Sequence, residues 1–237
     1  MKMKKGYIAL IFVAVLLSGV LATNAAESIT VRKEKIDPAN KKVTILVGPA
    51  VAIPGATTLY IIERKRVLQS EIERDPNAVI EATVSLNALY SPSDVDNILK
   101  GFQVETKEAH FQSKTSDHGG EFKIEGTLSD SVLKLREKVK ERIVLSQEQL
   151  KNSKDPVEKE GLKSAIQIEQ QLFDEINQGE IGVYGVDVKG SAKELKRLAN
   201  HEKVRLVDPK ISENAAEYES QGYKTRVVVF PVPPVFR

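Results

Sequence analysis

Cysteine is absent from all 237 residues, and that absence removes disulfide frameworks, thiolate zinc sites and cysteine nucleophiles together. Tryptophan is also absent, and the three histidines, His110, His118 and His201, include no H-E-x-x-H arrangement and no second probable ligand at i+4. A charge excess of one sign is missing as well. The formal charge is +2, but Lys2, Lys4 and Lys5 account for it; beyond residue 26, thirty-two basic side chains face thirty-three acidic ones. Without a localised basic surplus, the sequence predicts no nucleic-acid partner. What it does hold is 41% apolar residues, enough for about 210 residues after the first segment to fold around a core without covalent staples.

The opening lysines precede Tyr7 to Ala22, an apolar run broken by Ser18 and Gly19, and small residues follow at Ala22-Thr23-Asn24-Ala25-Ala26. A basic start, an apolar middle and a small-residue site make up an export signal. At 1.5 Å per residue the run would span about 24 Å as a helix, somewhat short of a ~30 Å bilayer core. Residues 1–26 are therefore expected to be a signal peptide cleaved after Ala25, or else a retained membrane anchor. The expected location is outside the cytoplasmic membrane, secreted or attached to its outer face. Val20 stands where a lipidated cysteine would be needed, so a lipoprotein is excluded.

Residues 27–58 read as N-terminal strands and a loop: Ile29 to Arg32 and Lys42 to Val47 flank the turn Asp37-Pro38-Ala39-Asn40. Leu59 to Arg74 places Ile61, Ile62, Lys65, Leu68 and Ile72 at helical spacing. Ile80, Ala82, Val84, Leu86 and Ala88 then alternate with polar residues, the clearest strand pattern in the chain. Ser91-Pro92-Ser93-Asp94 follows with a cap, a first-turn proline and an acidic residue for the positive helix end. The device recurs after Ile181 to Val188, where Ser191 and Glu194 have capping-box spacing. Between the two copies, residues 128–178 carry two apolar stripes joined by a polar hinge, which predicts a helical hairpin. The predicted class is α+β, an antiparallel or mixed sheet with two strand-helix-strand units and that hairpin, occupying residues 59–237 as one sensor-like domain.

Catalytic signatures are missing. No G-x-S-x-G, G-x-G-x-x-G or H-E-x-x-H occurs, and Ser131-Val132-Leu133-Lys134 lacks the companion motifs of its S-x-x-K class. Gly185 and Gly190 have phosphate-loop spacing, but Ser191 replaces the lysine that would hold the phosphates. Asp117 and His118, in a glycine-rich turn, are the best candidates for a metal or a base, and turn chemistry explains both equally well. No catalytic residue, metal or cofactor is assigned.

The segment Ile181-Gly182-Val183-Tyr184-Gly185-Val186-Asp187-Val188-Lys189-Gly190-Ser191, with Glu194, Leu195, Leu198 and Val204 to Val207, resembles the end of the extracytoplasmic C-terminal domain of Gram-positive anti-sigma factors. Ala78 to Leu89, leading into Tyr90-Ser91-Pro92, is similar to that domain's first half. The resemblance implies a non-catalytic module that senses or binds, with Tyr90, Ser91, Pro92, Tyr184, Gly185, Gly190, Ser191 and Glu194 as its motif residues. Its implied partner is an envelope protein or a membrane-bound regulator. Anti-sigma factors of this type carry a sigma-binding domain before the membrane helix, and Met1 to Gly6 is too short to be one; a stand-alone module is therefore expected. The alternative from the residues alone is an exported hydrolase or a protease-inhibitor-like module.

Overall fold

The computed structural model describes residues 30–50 and 54–234, so the expected leader lies outside the described residues. The chain divides into two compact units. In the first, β1 (Thr30–Asp37) and β2 (Lys42–Pro49) form an antiparallel hairpin. Its turn is fixed by the Asp37 carboxylate, which accepts from the Asn40 backbone N–H at 3.1 Å and side-chain amide at 2.9 Å. Ile29, the first residue of the expected strand, is outside the described residues. Val43, Ile45 and Val47 form the buried side of β2.

Nothing local in the sequence announces the next pairing: β2 lies parallel to β8 (Lys224–Val229), with Lys42 opposite Lys224 and Val47 opposite Val229, a constant offset of 182 positions.

Helix α1 (Ala56–Arg74) contributes residues 56–64 to the first unit and 65–74 to the second. Its buried stripe is Tyr60, Arg64, Leu68 and Glu71, while Ile62 is exposed, so the expected stripe is corrected by a partial rotation. Reading apolar positions alone misses a buried arginine: Arg64 donates to the Ile211 carbonyl at 3.2 Å.

The second unit holds a five-stranded antiparallel sheet in the order β5-β4-β6-β3-β7. Two strand-helix-strand units build it: β3 (Val79–Tyr90), α2 (Pro92–Leu99) and β4 (Val104–Ser113), then β6 (Ile181–Ser191), α5 (Ala192–Ala199) and β7 (Val204–Pro209). Each unit leaves a gap one strand wide that the other fills, β6 between β3 and β4, and β3 between β6 and β7. This interleaving is the split βαβ arrangement of ferredoxin-like folds. Edge strand β5 (Gly119–Lys123) and the hairpin α3 (Leu128–Asn152) and α4 (Pro156–Asn177) are inserted between the halves. The expected turn at Asp117 to Gly120 is shifted: the bend occupies residues 114–117, and both glycines already pair with β4.

One face of the sheet, with Ala82, Val84, Leu86, Ala109, Phe111, Val186, Val188 and Val207, shares a core with Val95 and Leu99 of α2, Leu195 and Leu198 of α5, and Leu135, Val139 and Ile143 of α3. The hairpin carries its own fastening. Glu169, a charge on the inner stripe of α4, receives both Nε and Nη2 of Arg142 at 2.9 and 2.8 Å.

Replacing Leu198, fully buried beneath the sheet, tests the shared core. Leu198→Ala is expected to lower unfolding stability by about 3 kcal/mol, read as a fall in the urea midpoint at unchanged slope. The exposed hairpin variant Ile168→Ala should stay within ~0.5 kcal/mol.

Candidate functional site

The other face of the same sheet is polar. Directly paired residues share a face, and the register aligns Thr83 with Asp187 and Asp208, Ser85 with Gly185, Glu81 with Lys189, and His110 with both Gly185 and Glu121. Alternation along β3 predicts a solvated polar side, yet Thr83, Ser85, His110, Asp187 and Asp208 are all buried. Asp187 is 6% exposed and His110 4%.

A buried carboxylate must be compensated. Asp187 accepts from the Thr83 hydroxyl at 2.7 Å and forms a close ion pair with Lys210, just beyond β7. The His110 imidazole stands between two carboxylates, Nδ1 at 3.2 Å from Glu121 and Nε2 at 3.5 Å from Asp187. Burial alone would push the Asp187 carboxyl up, but His110, Lys210 and Thr83 outweigh it and hold the group below the usual aspartate range. A carboxylate kept ionised and already supplied with donors acts as a fixed anion. A general base poised near neutral pH needs the opposite environment.

The motif residues fall into two sets. Ser91 and Ser191 occupy equivalent places, Ser91 just after β3 and Ser191 at the end of β6, each capping a helix: Ser91 Oγ accepts from the Asp94 N–H and Ser191 Oγ from the Glu194 N–H, both at 3.2 Å. Pro92 fills the first turn of α2, and the Tyr90 hydroxyl donates to Asn87 at 2.7 Å while Lys203 sits over its ring. The capping box expected at Ser191 and Glu194 is half formed. Ser191 is still paired to Val79 in the sheet, and the Glu194 carboxylate turns instead to Arg197 and to the Gln103 backbone N–H at 3.3 Å. Those bonds hold Glu194 below the ordinary glutamate range.

Tyr184, Gly185 and Gly190 lie on β6. Between the pairs His110–Gly185 and Phe111–Val183, Tyr184 is left over as a bulge, and its ring tilts against His110 with centroids 6.3 Å apart. Burial, then the Glu121 charge, push its hydroxyl up. At Gly190 a Cβ would stand 2.9 Å from Val104 Cγ1, a close strand approach. Gly185 lies beside the bulge, and its close neighbour is Pro231, whose Cβ would lie 2.6 Å from an added methyl.

Asp117 and His118 do not act together. Asp117 is exposed, whereas His118 Nδ1 lies 3.2 Å from buried Glu175, which also accepts from Gln171. Burial pushes the Glu175 carboxyl up, but Ser116, His118 and Gln171 outweigh it and lower it. Among the described residues no group of three or more histidines and carboxylates could hold a metal ion. Thr83 and Lys210 were missed in sequence because their partner is over a hundred positions away for one and on another strand for the other; the sole local sign was Asp187 within an otherwise apolar strand.

A family model described as sigma factor regulator C-terminal matches residues 74–208, more than half of the chain. The match runs from the last residue of α1 into β7 and so takes in both strand-helix-strand units and the hairpin. No curated protein and no solved structure matches the chain.

Because Asp187 is depressed in the folded state, its stabilising contribution is present above the unfolded aspartate value of about 3.9 and disappears as pH falls through the lower folded value. Asp187→Asn should therefore flatten the acid limb of a stability-against-pH curve below about pH 4. At pH 7 it should cost about 3 kcal/mol, because Lys210 loses its buried counter-ion. Urea unfolding at a series of pH values measures both.

Proposed function

Since the chain belongs to the sigma factor regulator C-terminal family, whose role is in the regulation of sigma-factor signalling, we propose that it is a non-catalytic sensing or binding module working outside the cytoplasmic membrane. The observation that carries this reading is the extent of the family match, which spans the whole interleaved five-stranded unit except the last residue of β7. Two further features favour it. The buried carboxylate of the polar face is occupied by Lys210 and Thr83 and so is committed to holding strands together. The basic, apolar and small-residue order of residues 1–26 has the make-up of an export signal or anchor.

In this reading the first 26 residues place the rest of the chain on the outer side, and the partner is a protein, a membrane-bound regulator that transmits the signal inward. Among the described residues no helix is long and apolar enough to cross a membrane; in this reading the apolar run Tyr7 to Ala22 is the segment that would do so.

Protease added to intact cells should digest the chain while a cytosolic marker survives, and affinity purification from solubilised envelopes should enrich one membrane regulator. Deleting the gene should change transcription from that regulator's sigma-dependent promoter severalfold, with restoration by the wild-type chain. A protease-resistant, cytosolic protein that retains Met1 and leaves such promoters unmoved would overturn the proposal.

A further inference from the structure

Four residues after β8, Pro231-Val232-Pro233-Pro234, lie along the polar face of the five-stranded sheet. Prolines cannot donate to a ladder, so the segment is not a sixth strand. It is attached by side chains instead. The Val232 N–H, the one amide donor of the four, goes to Ser85 Oγ at 2.9 Å, and both residues are 0% exposed. Arg205 Nη1 donates to the Pro233 carbonyl at 2.5 Å. The Pro231 ring rests where the missing side chain of Gly185 would be, beside the His110 ring. Ser85, Gly185 and Leu206 stand side by side on three neighbouring strands, so the floor of this groove is one polar hydroxyl flanked by a gap and an aliphatic side chain.

These contacts define a recognition pattern. A ring is accepted over Gly185, a small apolar residue with a free N–H is required next, and a third residue must present its carbonyl to Arg205. An extended proline-rich segment meets all three requirements with little ordering cost, because its backbone is already stiff. We propose that this groove is a binding site for an extended Pro-x-Pro segment of a protein partner, that Pro231 to Pro234 is its intramolecular occupant, and that the partner binds by displacing it. The inference rests on the groove alone and holds whether or not the output is a sigma-factor pathway. An occupant tethered to its own site acts as a ligand at an effective concentration in the millimolar range, so a free peptide competes only at comparable concentration.

The lack of cysteine supplies the test. In the full chain, Val232→Cys is a unique thiol at a fully buried position, and its rate of modification by a thiol reagent reports release of the segment. A capped Phe-Pro-Val-Pro-Pro peptide at several millimolar should raise that rate roughly threefold, whereas the same peptide with alanine at each proline should not. Gly185→Leu should raise it without peptide, since the added Cβ would collide with Pro231. Val84→Cys, buried in the core on the opposite face, should stay slow throughout. Should Val232→Cys itself loosen the segment, hydrogen exchange at the Val232 amide of the unsubstituted chain decides, with protection expected to fall only when the proline peptide is added. Unchanged labelling and exchange at saturating peptide would overturn the proposal. So would equal acceleration at Val84→Cys, which means global opening, or release that tracks protein concentration, which means exchange between two copies.

Discussion

An ionised carboxylate with almost no access to water sits on the central strand of the five-stranded sheet, and its needs fix much of what surrounds it. Leaving Asp187 uncompensated would cost several kcal/mol, more than any one apolar contact in the unit returns. Its compensation comes from three directions: Thr83 on β3, Lys210 after β7, and His110 on β4. Four of the five strands are thereby tied to one group. Shifting β6 by one residue would turn Asp187 into the apolar core and Val186 or Val188 onto the polar face, so a register error is penalised twice.

The same logic separates what was readable along the chain from what was not. Helix starts were readable because a cap closes on itself within three residues, as Ser91 does with Asp94 and Ser191 with Glu194. The hairpin and the alternating strand β3 were readable because periodicity is local too. The polar face was not. Thr83 and Ser85 look like solvent-facing residues of a half-buried strand, and only the distant Asp187 and Val232 make their burial tolerable. Arg64 and Glu169 mislead in the same way: each puts a charge on an inward stripe, and each is answered by a partner that sequence spacing does not reveal, the Ile211 carbonyl and the Arg142 guanidinium. Parallel pairing of β2 with β8 is the extreme case, since it joins opposite ends of the described chain. The family resemblance, by contrast, was carried by the two short capped units themselves, which is why it could be read before any of this tertiary detail.

The two strand-helix-strand units are alike in topology but not in their outward bonds. In the first, Asp96 on α2 accepts from the Leu128 and Ser129 backbone N–H groups at 2.8 and 3.2 Å and so supplies part of the cap of α3. The base of the inserted hairpin is thus tied to the sheet's first helix. In the second, Glu194 on α5 reaches the Gln103 N–H at the entry to β4. One acidic side chain per unit turns from its own helix to a neighbouring element, Asp96 to the inserted hairpin and Glu194 to the other strand-helix-strand unit.

A module built this way keeps its reactive-looking groups occupied and offers recognition elsewhere. Asp187 is held by Lys210 and Thr83, whereas the Ser85 hydroxyl, the gap at Gly185 and the Arg205 guanidinium are met by a four-residue segment that has a single amide to give. The first set cannot be opened without leaving the Asp187 charge unpaired in a dry environment. The second can be, because withdrawing the proline segment costs two hydrogen bonds and some apolar contact while both the hydroxyl and the guanidinium can be satisfied by water. Rigidity and exchangeability therefore meet on one face, with the ion pair holding the strands in register and the adjacent groove free to change its occupant without disturbing them.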